Sequence, residues 1–323
     1  MSELVTICMP TYNPKESFFY EAMDCALNQT YENIEVLIID DNSTVDVFKL
    51  LSLFNDPRIK YLRNSTNLGM VKNWNTGIQS ASGKWLKFHF QDDLMELDCI
   101  EKLLKIALDS NTKLSIANRL YLAEEGQEQH LKIHDKNKNL GDYFGSSVIN
   151  PSQIIEILKK YSLAYNFFGE PMVGLVRSDI FSEYGLFDES IKQIVDFEFW
   201  LRVCLNEKFS FIDEPLNKFR IHSKSQSNQN KVSRKVGPTL TDRVFVTDKM
   251  LNHKSYKSFK NSFKDDELNN YLIRFYKQII VRSGFFRFRR TFTDKKAYLN
   301  HLNNNELFWA LFKDVETIFG KVF

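Results

Sequence analysis

The chain is poor in cysteine, and what it has is not arranged for a metal or disulfide framework. Cys8, Cys25, Cys99 and Cys204 are its four cysteines in 323 residues. They lack paired metal-ligand spacing and the density of a disulfide scaffold, and a reducing cytosol suits them. No run reaches the roughly 18 to 20 apolar residues needed to span a bilayer. The N-terminus has no basic region, and its apolar stretch, Leu4 to Met9, is too short for a signal peptide. These absences predict a cytoplasmic protein that is not integral to a membrane. No G-x-G-x-x-G follows the first apolar run, which disfavours a Rossmann oxidoreductase. The same loop, VTICMPTYNPKES, offers one basic residue, Lys15, where a nucleotidyltransferase would want a glycine-rich basic loop for a triphosphate. No internal repeat is present.

Charge is uneven along the chain. The net charge of +2 points to no partner, but residues 231–323 carry 19 Lys/Arg against 9 Asp/Glu, and residues 1–230 carry 24 against 32. An acidic first part and a basic, Phe-rich tail imply two functional zones.

The apolar pattern alternates between short runs and helical spacing. Residues 4–9 read as a buried strand ending in Pro10, and 15–28 as a helix. Ile34 to Ile39 read as a second strand, followed by a helical pattern through about Phe54. Ile59 to Leu62 form a third strand, 70–81 a helix, and Trp85 to Phe90 a fourth strand. Such alternation predicts an α/β fold with a mostly parallel sheet, because parallel strands need crossovers. Beyond residue 111 the pattern weakens, and Glu124 to Asn139 reads as a surface loop or irregular insertion. Helices are expected at 151–161 and 196–206, an apolar run at Met172 to Val176, and a linker or mobile loop at 223–238.

Polar clusters follow strands one, two and four, at the edge where open α/β sheets bind ligands. Two of these clusters are Asp pairs, Asp40-Asp41 and Asp92-Asp93. Like charges gathered at one edge repel unless something cationic or hydrogen-bonding lies between them. A divalent cation held by carboxylates stabilises a diphosphate leaving group, and Mg²⁺-type sites need only one or two carboxylates plus substrate phosphates. The plainer readings are an N-cap for the helix at 96–109 and a turn at Asp40 to Ser43.

The chain resembles the family-2 glycosyltransferases of GT-A fold, of the bacterial surface-polysaccharide type. The matching segments are VTICMPTYNP at 5–14, LNQTYENIEVLIIDDNST at 27–44, NLGMVKNWNTGIQSASGKW at 67–85 and FQDD at 90–93. GLFDES at 185–190, DFEFWLR at 196–202 and FRIHSKSQS at 219–227 follow in family order. The resemblance implies a GT-A type, Rossmann-like sheet flanked by helices over 1–228, with a C-terminal helical extension at 229–323. It implies inverting transfer from a nucleotide-diphosphate sugar, UDP-linked as most often in this family, to a saccharide or lipid-linked saccharide acceptor. Pro10, Thr11 and Tyr12 would frame the base, and Asp40 or Asp41 would accept from base or ribose. Asn67, Gly69 and Asn75 would shape the wall near the donor, with Gly69 allowing a turn that a side chain would block.

The resemblance makes Asp93 the ligand of Mn²⁺ or Mg²⁺, with Asp92 beside it contacting ribose, sugar or metal, and His222 near the diphosphate or metal. It makes Asp196 the base that takes the acceptor's proton, kept ionised by the start of a helix, against the plainer reading of an ordinary N-cap. Glu198 is the competing base, but it reads as a surface i,i+4 partner of Arg202. Trp200 reads as core, and Glu170 as an acceptor contact or a simple turn. Two departures stand out: Phe90 replaces the first Asp of Asp-x-Asp-Asp, and Val195 replaces a Glu before Asp196. The first motivates an alternative, a non-catalytic nucleotide-sugar-binding protein of the same fold.

Residues 271–290 mix aromatic and aliphatic residues with Lys/Arg, and 306–323 place Phe308, Leu311, Phe312, Val315, Ile318, Phe319 and Val322 at helical spacing. Three readings stay open for them: peripheral contact with the inner face of the cell membrane, packing on the catalytic domain, or a homodimer contact. Nucleic acid is not an expected partner, since no recognisable module accompanies the charge.

Overall fold

The computed structural model describes residues 3–128, 131, 139–161, 166–222, 237–264, 267, 268 and 270–272. The chain opens β1 (Val5–Thr11), α1 (Glu16–Leu27), β2 (Ile34–Asp40), α2 (Val47–Leu51), β3 (Ile59–Arg63), α3 (Met70–Ser80) and β4 (Trp85–Phe88). It continues through β5 (Leu94–Met95), α4 (Cys99–Asp109), β6 (Leu114–Ala123), β7 (Ser147–Ile149), α5 (Pro151–Tyr161), β8 (Gly174–Arg177), α6 (Asp179–Tyr184), α7 (Val195–Cys204) and β9 (Phe209–Ile221). The sheet runs β3-β2-β1-β4-β8-β6-β9-β5, with β7 paired to β9. Strands β3, β2, β1 and β4 are mutually parallel, and antiparallel pairing begins at β8. This is the α/β architecture expected, with helices over a mainly parallel sheet.

Every residue of β1 and β2 is buried. A parallel sheet covered on both faces requires such continuously apolar runs. Val5, Ile7 and Met9 share one face with Val36 and Ile38, against Phe19, Ala22 and Met23 of α1 and Leu103 and Ala107 of α4. The opposite face meets α3 closely: a Cβ on Gly77 would lie 2.3 Å from Cys8 Sγ. Only glycine permits that approach.

Some boundaries differ from expectation. Strand β1 passes through Pro10 to Thr11 instead of stopping at the proline. Backbone groups point to alternate sides along a strand, and Cys8 O accepts from His89 N at 2.9 Å on the β4 side. Pro10 faces that same side, beyond the end of the β1–β4 pairing at Cys8 and Phe88, so its missing N–H breaks no ladder bond. Strand β4 ends at Phe88, not Phe90. Strands β6 and β9 were not anticipated, yet they pair in parallel over nine positions from Ser115↔Ser210 to Ala123↔Ile221. Register shifts around Asn118 accommodate the Asp213-Glu214-Pro215 interruption of β9.

The chain divides into two compact units. The first holds the whole sheet. The second comprises the described residues within 152–165, 190–194 and 226–323, including α8 (Gly237–Asn252) and α9 (Lys257–Asn261). Within it, Phe259 stacks edge-on with Phe263 at 5.0 Å and Tyr271 at 5.9 Å. The expected linker lies outside the described residues except for Gly237 and Pro238, which begin α8. The basic, aromatic tail lies outside them from residue 273 onward. No helix among the described residues is long and apolar enough to cross a membrane.

Candidate functional site

The polar ends of β1, β2 and β4 are hydrogen-bonded to one another. Asp41 N–H donates to Thr11 O at 2.8 Å, and Tyr12 exchanges bonds with the Gln91 side chain, N–H to Oε1 at 2.8 Å and Nε2 to O at 3.1 Å. Pro10 and Thr11 are buried, whereas Tyr12 is 48% exposed and leaves its ring available as a stacking surface.

Asp40 and Asp41 are both buried, and each is already bound by the protein. Asp40 Oδ1 accepts from Ser43 N–H at 2.9 Å, and its Oδ2 accepts from Tyr61 at 2.7 Å and Arg63 at 2.8 Å. Asp41 Oδ1 accepts from Asn64 Nδ2 at 2.9 Å and Leu68 N–H at 2.7 Å, and Oδ2 from Gly69 N–H at 2.8 Å. Three donors on a carboxylate leave little acceptor capacity for a base or ribose. Asp41 thereby fixes the turn that contains exposed Asn67 and leads into α3. Gly69, at φ +85 and ψ 163, caps that helix. A Cβ there would meet nothing within 4 Å, so backbone conformation, not crowding, demands glycine. Asn75 faces a different segment from the one expected to need it. Its Nδ2 donates to Phe187 O at 2.9 Å and its Oδ1 accepts from Phe187 N–H at 3.1 Å, pinning the GLFDES loop.

Asp92 and Asp93 lie between β4 and β5, and the β5–β9 pairing brings them to the end of β9. Asp93 is buried, its Oδ1 accepting from Arg220 N–H at 2.8 Å while Oδ2 has no hydrogen-bond partner. Burial, then the charge of Asp92, push its pKa well above the carboxylate range. Asp92 Oδ2 lies 2.7 Å from His222 Nε2, and Arg220 Nε donates to Asp92 O at 2.8 Å. Neither Asp caps α4, whose N-cap position is Asp98. A buried carboxylate oxygen without a donor, beside a second carboxylate, suits a hard divalent cation, which prefers oxygen ligands. No group of three or more His, Cys, Asp or Glu among the described residues could hold an ion. Such a cation would therefore share its coordination with substrate phosphates.

Asp196 occupies the first turn of α7. Its Oδ1 accepts from Phe197 N–H at 2.8 Å and its Oδ2 from Asn166 Nδ2 at 2.9 Å. The helix start does not keep it strongly acidic, as the sequence suggested. Burial, aided by the negative charge of Glu170, raises its pKa to about 7. Glu170 also raises the pKa of Asp93, so its charge acts on both acids. Arg119 Nε lies 2.5 Å from Glu170 Oε2 and donates to Tyr121 Oη at 2.9 Å.

Sequence reasoning missed Arg119, Tyr121, Asn166 and Arg220. The first two lie on the unanticipated β6, and Arg220 on the unanticipated β9. Glu198 and Arg202 do pair, at 2.9 Å, but the pair is buried instead of lying on the surface, at 0% and 4% exposure. Arg202 also donates to Gly185 O at 3.1 Å and Leu186 O at 2.8 Å. Trp200 is core, as expected, with its indole N–H donating to Gly169 O at 3.0 Å. Phe90 joins an aromatic cluster, 5.4 Å from Trp74 and 6.2 Å from Phe88.

The chain is similar to known proteins in sequence and in fold. An uncharacterized glycosyltransferase of Haemophilus influenzae is 28% identical over 241 residues, 72% of each chain. One from Rickettsia prowazekii is 30% identical over 227 residues, 70% of this chain and 67% of its own. Among solved structures, S. aureus TarS residues 1–349 in complex with UDP superposes with a TM-score of 0.56 at 14% identity, covering 98% of this chain and 92% of that one. The mannosyltransferase PcManGT from Pyrobaculum calidifontis, in complex with GDP-Man and Mn²⁺, gives 0.52 at 13% identity, covering 99% and 88%. At such identities the likeness is one of fold. The sequence model of Glycosyl transferase family 2 matches residues 6–169, half of the chain, and the chain therefore belongs to that family.

Proposed function

We propose that this glycosyltransferase moves a sugar, with inversion, from a UDP-linked donor to a hydroxyl of a saccharide or lipid-linked saccharide during polysaccharide synthesis. The observation that carries the reading is the set of acids linked through Glu170: Asp93 with an oxygen lacking a donor, and Asp196 with a pKa of about 7. The TarS and PcManGT complexes with UDP and GDP-Man support a nucleotide-sugar donor.

In this reading Tyr12 stacks on the base, and the Asp41-anchored turn of Asn67 and Gly69 walls the donor. Asp93 would hold Mn²⁺ or Mg²⁺, with His222 near the metal or diphosphate and Asp92 beside it contacting ribose, sugar or metal, and the cation would supply charge neutralisation to the departing diphosphate. Asp196 takes the acceptor's proton as its oxygen attacks the anomeric carbon and the bond to UDP breaks, giving a β-glycoside from an α-linked donor. A base of pKa about 7 is part-ionised at neutral pH and strong enough to accept that proton. Phe197 N–H and the Asn166 amide hold it in one orientation. Glu170, steadied by Arg119, contacts the acceptor. Residues 1–228 form the catalytic domain, and 229–323 an extension for membrane-surface association or a dimer contact.

A donor panel with purified protein tests this, scoring released nucleoside diphosphate with and without Mn²⁺ and a panel of saccharide acceptors. Release from a UDP-sugar that Asp196→Ala abolishes is expected. UDP binding with no release across the panel would favour the binding-protein alternative that Phe90 motivates.

A further inference from the structure

Lys87 stands within β4 with no solvent exposure. An ammonium is held in a sheet interior only at a cost, and burial pushes its pKa down. It has three donors, and three acceptors meet them. Nζ donates to Asn217 Oδ1 at 2.8 Å, to Phe88 O at 3.2 Å, and to Met172 O. A well-packed apolar side chain would fill the same space without the desolvation penalty. The lysine therefore calls for a gain beyond packing.

The three acceptors lie on three segments. Phe88 ends the strand that leads to Asp92 and Asp93. Met172 is two residues beyond Glu170, in the 3-10 turn Pro171–Val173. Asn217 lies on β9, opposite Arg119 of β6 on one side and Met95 of β5 on the other, three residues before Arg220. We infer that Lys87 is a positioning residue of the transfer site, its ammonium fixing at one point the strand leading to Asp92 and Asp93, the turn carrying Glu170, and the strand leading to Arg220 and His222. The inference rests on the transfer reading above. The first two segments bring acids whose relative placement decides whether leaving group and acceptor are addressed together. Tyr12 and the Asp41-anchored turn, by contrast, extend from β1 and β2, which this lysine does not bond, although the Gln91 side chain ties the Tyr12 backbone to the segment after Phe88.

That asymmetry gives the test. Lys87→Met keeps length and apolar bulk while removing all three donors. UDP affinity measured without a divalent cation should stay near wild type, while turnover on the best donor and acceptor falls about 100-fold, the scale of an ångström misplacement. Amide exchange should rise in peptides covering 168–173 and 217–222 but not in 34–41. Unchanged turnover, or UDP affinity falling in step with it, overturns the inference. Wild-type protein without turnover on any donor sinks the transfer reading, and exchange then decides the tie: a rise in those two peptides supports it, and no change overturns it. If Lys87→Met does not fold, Asn217→Ala removes the β9 arm alone and is expected to give the same split.

Discussion

Asp92 Oδ2 and His222 Nε2 lie 2.7 Å apart although 130 residues separate them in the chain. Two strands produce this meeting. Leu94 and Met95 pair antiparallel with Lys218 and Asn217, which carries the end of β9 past the Asp pair. Arg220 then closes the corner, its N–H on Asp93 and its guanidinium on Asp92 O and Glu21.

Loss of the Asp92–His222 pair should weaken cation-dependent nucleotide binding without unfolding the protein. His222→Ala is expected to lower Mn²⁺ affinity in the presence of UDP by about 10- to 100-fold, the usual cost of removing an orienting partner. Asp93→Asn should abolish the Mn²⁺-dependent part of the thermal stabilisation by UDP. A full Mn²⁺ increment in Asp93→Asn would remove Asp93 from the cation site.

The pH dependence of turnover should report Asp196. Its pKa of about 7 in the free protein means that the base is protonated below neutrality, so kcat/KM should rise through pH 7 and level off above it. Glu170 pushes that value up and Arg119 pulls it down. Glu170→Gln should therefore move the acid limb to lower pH, and Arg119→Met should move it to higher pH. Limbs that stay in place in both variants would show that another group governs the profile.

The N-terminal half of the fold was legible because β1, β2 and β4 are buried on both faces and declare themselves as apolar runs. Strand β6 is buried over Leu114 to Ala117 and mostly half-buried beyond, and β9 is broken by Asp213-Glu214-Pro215, so neither gives a clean period. Their absence from the sequence reading hid Arg119, Tyr121 and Arg220, and with them the cationic side of the site. Asp93, Glu170 and Asp196 were legible as residues, but the pKa of Asp196 was not. It follows from burial beside Glu170, a neighbour 26 positions away, which no local pattern encodes.

Gly69→Ala separates conformation from crowding. Around that position there is open space, yet φ +85 with ψ 163 is a region that side chains avoid. The substitution should cost about 1–3 kcal/mol in chemical denaturation. Because the N–H groups of Leu68 and Gly69 both end on Asp41, it should also weaken UDP binding if this turn walls the donor. Lost stability with unchanged UDP affinity would detach the turn from the nucleotide.

Glu198 distinguishes a buried structural acid from a catalytic one on the same helix. It lies two residues after Asp196, and both its oxygens meet Arg202, at 3.1 Å from Nε and 2.9 Å from Nη2. Arg202 in turn binds the carbonyls of Tyr184, Gly185 and Leu186, so the pair holds the GLFDES loop. Glu198→Ala strands a buried guanidinium and should cost about 3–5 kcal/mol of stability. Glu198→Gln keeps an oxygen toward Arg202 and should lose less. Its folded fraction should turn over near the wild-type rate, because an acid engaged this fully by arginine is a poor proton acceptor. Asp196→Ala should show the opposite split, with stability near wild type and turnover lost. If Glu198→Gln folds normally and loses turnover as completely as Asp196→Ala, the base is Glu198, and the pH profile must be read again around it.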